Sequence, residues 1–266
     1  MTTGALIFAF NNEQIDYVAM ANWSARNIHR HLAIPVCLVT DREPTHPHAF
    51  DHVVIATPVN AGQRYFSDYD TNVTWHNTNR MDAYRLSPWD QTLVLDADYV
   101  VASDQLRTIL TSRQNFMCYR WARDVTGLQT FEDLNYFGNH RMPMWWATVM
   151  MFHRSNSAEL LFDTMQMIRD NWTHYRNLYK NPNSTYRNDH ALSIALNTLN
   201  GQTLCVDEIP GTLASLTPEH RLTQLDIDLY RVDFLTPDKK PRWITLTQDF
   251  HAMGKQQLGA IVANTR

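Results

Sequence analysis

The sequence predicts a single α/β domain in which helices flank a mixed, mainly parallel central sheet. The first half alternates short runs of branched apolar residues with one long segment of helical periodicity. Polar residues follow each apolar run, which is typical of the carboxyl ends of parallel strands, where ligands bind. The 266 residues, 44% of them hydrophobic, contain no repeat, low-complexity tract or linker that would divide the chain.

The first half is predicted to build up to one central strand. Its elements, in order, are strand 5–10, helix 14–32, strand 34–40, strand 53–56, a loop over 62–77, a short helix over 78–86 capped by Thr78, and the central strand 92–95. Polar residues at 11–12 and 41–42 follow the first two strands.

The second half is predicted to add further strands and helices around the same sheet. Its elements are helix 104–111 capped by Ser103, strand 115–121, a loop over 121–141, strand 144–152, a helix that opens with the capping pattern of Asn156 and Glu159, a turn-rich loop over 180–184, helix 188–199, and late strands at 204–206 and 243–246. The charged stretch 218–238 is expected to be a helical or hairpin excursion.

Two carboxylates end the central strand. Asp96 and Asp98 are two residues apart, so in an extended segment both side chains point to the same side. Adjacent ionised carboxylates repel each other unless a cation lies between them, and a hard divalent ion that also holds phosphates meets that need. An Asp-X-Asp pair alone arises by chance in a chain with 27 acidic residues, but its position after a buried strand favours a metal site.

Further candidates for this site lie far along the chain. His251, followed by Gly254 and Lys255, would add an imidazole ligand, a close backbone approach and a phosphate counter-charge. Two carboxylates and an imidazole suit Mn²⁺ somewhat better than Mg²⁺. Asp189, which opens a predicted helix, is a candidate for the reacting centre, and Arg80, on the helix before the central strand, could clamp a diphosphate. Each candidate has a simpler alternative: His251 as a capping or surface histidine, Asp189 as a first-turn carboxylate favoured by the helix dipole, and Arg80 on a solvated helix face.

The bulk composition narrows the classes of function. A net charge of −4 argues against a strongly cationic nucleic-acid binder, and no apolar run approaches the length of a membrane span. The N-terminal residues carry no basic leader, so we expect no signal peptide. Three cysteines, far apart, predict buried thiols in a reducing cytoplasm and no zinc site. Of the 23 basic residues 19 are arginine, whose planar guanidinium group binds phosphate in a bidentate manner. The base composition of the genome would also produce this excess of arginine.

The order of these motifs resembles the metal-dependent glycosyltransferases of the GT-A fold, a Rossmann-like α/β fold, and is nearest in layout to the glycogenin-like family. The similar segments are 79–86, the Asp-X-Asp strand 95–101, 150–155, 187–190 and the late histidine motif 251–255. The resemblance covers roughly residues 4 to 260. It implies a nucleotide-binding half over 1–103 and an acceptor-side half over 104–266 that carries the late metal motif.

The resemblance also implies a role for individual residues. Asp96, Asp98 and His251 would bind Mn²⁺ or Mg²⁺, Arg80 would reach the donor phosphates and sugar, and Asp189 would lie beside the transferred sugar. The donor, a nucleotide-diphosphate sugar and in this family a UDP-sugar, would lie against Phe10, Asn11, Asn12, Tyr17, Arg80, Asp96, Ala97, Gly254 and Lys255. The chain departs from the family at Trp145–Trp146, where a glycine is usual, and at Gln256–Gln257, where Pro-Trp follows the lysine.

The sequence does not identify the molecule that supplies the acceptor hydroxyl. Residues 105–190 hold ten basic and seven acidic residues, which together with the tryptophans is compatible with DNA. Virus-encoded transferases that glycosylate hydroxymethylated DNA bases are compact enzymes of this kind. A polysaccharide, a lipid-linked glycan or a protein hydroxyl suits the aromatic content equally. Two rivals from other classes are a sugar nucleotidyltransferase, although 10–13 lacks its glycine-rich phosphate loop, and a non-catalytic sugar-nucleotide-binding module.

Overall fold

The computed structural model describes residues 1–45, 48–57, 80–131, 135–201 and 206–264, together with the backbone of 63–66 and 71–74. In chain order, the first half forms β1 (Thr3–Phe8), α1 (Tyr17–Leu32), β2 (Val36–Thr40), β3 (His52–Ile55), β4 (Gln63–Phe66), β5 (Thr71–Thr74), a 3-10 turn (Arg80–Asp82), α2 (Ala83–Leu86), β6 (Gln91–Asp96) and β7 (Tyr99–Val100).

The second half contributes further strands and five of the helices with assigned bounds. Its elements are α3 (Arg107–Leu110), β8 (Phe116–Tyr119), β9 (Ala122–Asp124), β10 (Tyr136–Phe137), β11 (Met142–Pro143), β12 (Trp146–His153), α4 (Asn156–Asp170), α5 (Trp172–Leu178), α6 (Asn188–Leu199), β13 (Leu213–Leu216), β14 (Arg221–Asp226), β15 (Arg231–Leu235), β16 (Pro241–Thr245) and β17 (Phe250–Ala252), followed by α7 (Lys255–Asn264).

A six-stranded sheet in the order β3-β2-β1-β6-β12-β8 forms the centre of the fold. The strands β1, β2, β3 and β6 are parallel, whereas β12 runs antiparallel to both β6 and β8. The apolar side chains of these strands feed two buried clusters, one on each face of the sheet, so β6 is buried on both sides. The predicted α/β fold with a mixed, mainly parallel sheet flanked by helices is therefore confirmed.

A second sheet continues from the end of the first. Its order is β7-β17-β13-β9, and in it β9, β13 and β17 are parallel while β7 is antiparallel to β17. The antiparallel meander β14-β15-β16 connects β13 to β17. This arrangement confirms the hairpin alternative for the charged stretch 218–238.

Side chains at the helix ends explain where two of the long helices begin and end. The Asp16 carboxylate accepts a hydrogen bond from the Ala19 amide at 2.9 Å and starts α1 later than residue 14. The helix ends at Ala33, whose left-handed backbone (φ 56°) directs its amide to two carbonyls of the last turn. The N-cap of α4 is Ser155, which binds the Ala158 amide, so the prediction that Asn156 caps this helix is wrong.

Several predicted elements need correction. The loop predicted over 62–77 contains the antiparallel hairpin β4–β5, because cross-strand hydrogen bonds need no one-sided apolar pattern. The helix predicted over 104–111 is reduced to α3, and Ser103 binds Asp249 rather than acting as its N-cap. The loop predicted over 121–141 contains β9 and β10. Thr78 and residues 204–205 lie outside the described residues.

Two further expectations can be examined in the structure. Cys37 and Cys118 are buried free thiols, as predicted, and Cys205 lies outside the described residues. None of the helices in the described part of the chain is both long enough and apolar enough to cross a bilayer.

Candidate functional site

Asp96 and Asp98 lie where the central sheet gives way to the second sheet. Asp96 is the last residue of β6 and its side chain is 18% exposed, whereas Asp98, in the turn before β7, is only 3% exposed. With His251 they form a group whose ligand atoms all lie within 4.8 Å of one another. The structure therefore assembles the three residues that the sequence predicted as metal ligands.

His251 reaches this group through the pairing of two short strands. It lies in β17 opposite Tyr99 of β7, and the adjacent Ala252 amide donates to the Asp98 carbonyl at 3.0 Å. The His251 Nε2 atom is 3.2 Å from Asp98 Oδ2, and the side chain is 9% exposed. The alternative of a capping or surface histidine is therefore wrong.

Arg80 lies beneath the carboxylates rather than on a solvated helix face. Its side chain is 1% exposed, one guanidinium nitrogen forms an ion pair with Asp96, and the other donates to the Ala147 carbonyl at 3.3 Å. Burial lowers the pKa of Arg80 to about 10, so the guanidinium is still protonated at neutral pH. The alternative of a solvated helix face is wrong.

Lys255 supplies the second cation of the site. It is the first residue of α7, and its ammonium group forms an ion pair with Asp98. Burial by itself would raise the pKa of Asp98, but the charge of Lys255 and the contact with His251 hold the pKa well below its usual range. Asp98 is thus an ionised carboxylate in a nearly dry position.

Asp189 occupies the first turn of α6, beside the same group of charges. Its two carboxylate oxygens accept hydrogen bonds from the Ala147 amide at 2.9 Å and from the Arg187 guanidinium at 3.0 Å. Burial would raise its pKa, but the charge of Arg187 and the Ala147 hydrogen bond hold the pKa below its usual value. Asp189 has the predicted first-turn position, and Ala147 links it to Arg80 beside the candidate metal ligands. Its role at a reacting centre stays a prediction.

The loop between β1 and α1 brings further candidates to the same edge of the sheet. The Asn12 side chain accepts hydrogen bonds from the Gln14 and Ile15 amides, both at 2.9 Å, and the Asn11 side chain accepts one from the Val18 amide at 2.9 Å. Both asparagines therefore shape the loop that leads into α1. Their contact with a donor stays a prediction.

The remaining donor candidates are mostly buried. Phe10 and Ala97 are each 5% exposed, and Tyr17 is half-buried against the core. Gly254 precedes α7 and its carbonyl accepts from the Leu258 amide, while a Cβ atom there would lie too close to the side-chain oxygen of Gln257, a flexible group of α7. The close approach at Gly254 is thus made by its own helix, and donor contacts of these four residues stay predictions.

Sequence reasoning missed three residues that organise the site. Ala147 joins Arg80 and Asp189 through its carbonyl and its amide, and Arg187 neutralises Asp189. Asp249 accepts hydrogen bonds from the Ala102 and Ser103 amides at 2.9 and 2.8 Å, and burial raises its pKa to about 7. Arg187 and Asp249 carried a usable signal, because they lie two residues before the candidates Asp189 and His251, whereas Ala147 carried none.

The three candidate metal ligands, Asp96, Asp98 and His251, suit a divalent cation. Two carboxylates and one imidazole nitrogen form a mixed oxygen and nitrogen set of the kind that Mn²⁺ accepts. Arg80, Lys255 and Arg187 balance Asp96, Asp98 and Asp189, so these six side chains carry no net charge. A divalent ion would bring an excess of two positive charges, which suits a diphosphate.

Comparisons with known proteins give structural matches only. No protein-family model and no curated protein sequence matches the chain. The glycosyltransferase GlyE of Streptococcus pneumoniae TIGR4 is 14% identical with a TM-score of 0.43, over 78% of this chain and 45% of that one. The galactosyltransferase LgtC, in complex with donor and acceptor sugar analogs, is 12% identical with a TM-score of 0.49, over 77% and 72% of the two chains.

A third similar structure is S. aureus TarS, which is 11% identical with a TM-score of 0.44 and is matched over 82% of this chain and 37% of its own. The chain thus spans less than half the length of the GlyE and TarS chains.

Proposed function

We propose that the protein is a glycosyltransferase that moves a sugar from a nucleotide-diphosphate sugar to an acceptor hydroxyl with the help of Mn²⁺ or Mg²⁺. The donor that we propose is a UDP-sugar. The observation that carries the proposal is the convergence of Asp96, Asp98 and His251 at the carboxyl end of β6. Ligands of open α/β sheets bind at this edge. A divalent ion there would neutralise charge on the departing nucleotide diphosphate.

The chain's own cations would assist the same departure. Arg80 and Lys255 form ion pairs with Asp96 and Asp98, so both cations lie beside the carboxylates that would hold the metal ion. Fixed donors in a nearly dry site stabilise developing negative charge without having to reorient. Asp189, ionised and held by Ala147 and Arg187, would stabilise the positive charge that develops at the anomeric carbon.

We propose a glycan rather than DNA as the acceptor. The excess of arginines in 105–190 favoured DNA, but many of these side chains have internal partners. The Arg107 guanidinium donates to the His31 carbonyl, Arg120 to the Met144 carbonyl and Arg154 to the Ser87 carbonyl, while Arg169 and Arg187 pair with aspartates. DNA binding needs several basic side chains free to meet phosphates. The hypothesis of a DNA acceptor stays a prediction without structural support.

A thermal-shift experiment tests the donor site. UDP, GDP, CDP and ADP and their sugars would each be added with and without Mn²⁺ to the wild-type protein and to Asp98→Asn. A ligand that binds only the folded state adds about 2.7 kcal/mol of stability at a hundred times its Kd. We expect a Mn²⁺-dependent shift with one nucleotide that is absent from Asp98→Asn.

The matched control is Asp170→Asn, which removes an exposed carboxylate that pairs with Arg169 outside the site. This variant should keep the full ligand shift. Absence of a shift with every diphosphate in the wild-type protein would mean that the carboxylate pair is structural. Mn²⁺-dependent release of free sugar from the donor would show an enzyme and exclude a non-catalytic binding module. A nucleotidyltransferase would instead form nucleotide sugar and pyrophosphate from a sugar phosphate and a nucleoside triphosphate.

A further inference from the structure

One ring nitrogen of His251 is buried without a partner. The Nε2 atom of this side chain lies 3.2 Å from Asp98 Oδ2, whereas the Nδ1 atom is buried and has no hydrogen-bond partner among the described residues. Buried polar atoms in folded proteins nearly always have a partner, and the exceptions often mark functional sites. Because this atom belongs to a candidate metal ligand, its hydrogen bonding bears directly on metal binding.

The neighbouring strand presents a second such atom at the same level. β13 runs parallel to β17, and their register places Ser215 beside His251. Ser215 is fully buried, and its hydroxyl oxygen likewise has no partner in the described part of the chain. Side chains at paired positions of adjacent strands lie on the same face of a sheet, and the strands are about 4.8 Å apart. The two unpartnered atoms therefore belong to neighbouring side chains.

Two other polar side chains on this face are less well placed. Tyr99 pairs with His251 on the side away from β13, but its hydroxyl already accepts a side-chain hydrogen bond at 3.4 Å. Asp249 has one carboxylate oxygen without a partner among the described residues, but two backbone amides hold the other at 2.9 and 2.8 Å. Residues two apart along one strand are separated by about 6.6 Å, more than the spacing between strands. Ser215 is thus the nearer partner for Nδ1.

The chemistry of the imidazole shows when the Nδ1 atom needs an acceptor. Beside the ionised carboxylate of Asp98, the Nε2 atom acts as the donor and carries the proton of the neutral ring. To bind a cation, Nε2 must present its lone pair, so the proton of the ring then lies on Nδ1. A buried N–H group requires an acceptor, and a hydroxyl oxygen can accept.

We propose that Ser215 is a positioning residue of the metal site. Its hydroxyl oxygen accepts a hydrogen bond from the Nδ1–H group of His251 when Nε2 binds the divalent cation. The proposal rests on the proposed function, because it concerns the metal site named there. Such a bond to the second ring nitrogen fixes the tautomer and the orientation of the ring and makes the ligating nitrogen more basic.

Replacement of Ser215 by alanine separates this role from a role in folding. The Ser215 hydroxyl is unpaired in the structure, and an unpaired buried hydroxyl lowers stability. Without metal, Ser215→Ala should therefore be at least as stable as the wild type. With metal, the variant has no acceptor for the Nδ1–H group, so its affinity for Mn²⁺ should fall about tenfold, the lower end of the loss that such supporting partners cause.

Two measurements on the full chain test the proposal. Mn²⁺ would be titrated with and without UDP, and the electron paramagnetic resonance signal of the free ion would give the affinity. Urea unfolding of the same proteins without metal would give the stability. We expect Ser215→Ala to combine weakened Mn²⁺ binding with undiminished stability, a combination that a purely structural serine would not produce.

The matched control is Ser24→Ala. Ser24 is also fully buried, and its hydroxyl also has no partner among the described residues, but it lies in α1 and outside the group of candidate metal ligands. This variant should bind Mn²⁺ as the wild type does. A second variant, Ser215→Thr, keeps the hydroxyl and should bind Mn²⁺ more tightly than Ser215→Ala.

Three results would contradict the proposal, each in a different way. Equal Mn²⁺ affinity of Ser215→Ala and the wild type would overturn the role of Ser215 and leave the metal site intact. A loss of stability without metal in Ser215→Ala, but not in Ser24→Ala, would show a structural role instead. Absence of Mn²⁺ binding from the wild type, with and without UDP, would overturn the metal site of the proposed function together with the role of Ser215.

Discussion

The ion pairs on Asp96 and Asp98 explain how two carboxylates can lie side by side in a nearly dry site. Arg80 neutralises Asp96 and Lys255 neutralises Asp98, so neither carboxylate is left as an uncompensated buried charge. Removal of one partner of a buried pair costs about 3–5 kcal/mol. Arg80 and Lys255 are therefore expected to stabilise the fold, and under the proposed function they would also hold the site ready for a cation and phosphates.

The sequence predicts these residues to different degrees. Asp96 and Asp98 could be found from their local spacing after a buried strand, although Asp98 lies in a turn and not in the extended segment on which that prediction is based. His251 lies 153 positions after Asp98, and no periodicity connects the two. The neighbouring Gly254 and Lys255 made it a candidate, and the order of motifs in the resemblance favoured it over a capping or surface histidine. Ala147 could not be found at all, because it acts through its backbone N–H and C=O groups, which every residue type carries.

Asp189 provides a test of the proposed chemistry at the residue scale. Asp189→Asn keeps the shape of the side chain and removes its charge. If the carboxylate stabilises a cationic centre at the anomeric carbon, donor turnover should fall about 100-fold, a typical loss for one electrostatic group. The Mn²⁺-dependent nucleotide shift should persist. Equal turnover of the variant and the wild type would assign Asp189 to the first turn of α6 alone.

The pH dependence of stability follows from the same carboxylate. The folded-state pKa of Asp189 lies below its unfolded value of about 4, so its contribution to stability is complete above that pH and is lost as the pH falls through the folded pKa. The free energies of urea unfolding of the wild type and Asp189→Asn should therefore differ by a constant amount between about pH 5 and about pH 8, where the carboxylate is ionised in the unfolded chain as well. The difference should shrink below about pH 4. A difference that grew with acid would contradict a depressed pKa.

At the scale of single elements, the start of α4 can be tested directly. Ser155 has an extended backbone and its hydroxyl accepts from the Ala158 amide at 3.3 Å, whereas Asn156 is already helical. Loss of an N-cap side chain costs about 1 kcal/mol. Ser155→Ala should therefore lower the free energy of unfolding by about that amount, and Asn156→Ala should change it by less than about 0.5 kcal/mol. The reverse order, measured by chemical denaturation, would restore Asn156 as the cap.

The elements that sequence analysis missed share a physical property. The helix predicted over 188–199 agrees with α6 at both ends, because its own apolar spacing defines it. The strands β9, β13 and β17 have only three or four residues each and owe their conformation to one another through pairing. Such short strands carry no periodic signal, yet β17 brings His251 to Asp98 through its pairing with β7.

At the scale of the whole molecule, the two predicted halves are interleaved. The central sheet takes β1, β2, β3 and β6 from the first half but β12 and β8 from the second. The second sheet pairs β7 of the first half with β17 of the second. The candidate metal ligands likewise come from both halves, Asp96 and Asp98 from residues 1–103 and His251 from residues 104–266. Nucleotide binding and acceptor binding are thus expected to depend on a single folded unit.

This interleaving predicts the behaviour of separated halves. A fragment of residues 1–103 would expose the edge of β6 that β12 covers and would leave Asp98 without His251 and Lys255. Unpaired strand edges and uncompensated charges both oppose folding. We expect the fragment to give a poorly dispersed amide NMR spectrum and no cooperative thermal transition, in contrast to the full chain. A dispersed spectrum together with a nucleotide-dependent shift would instead show that 1–103 is an autonomous nucleotide-binding domain.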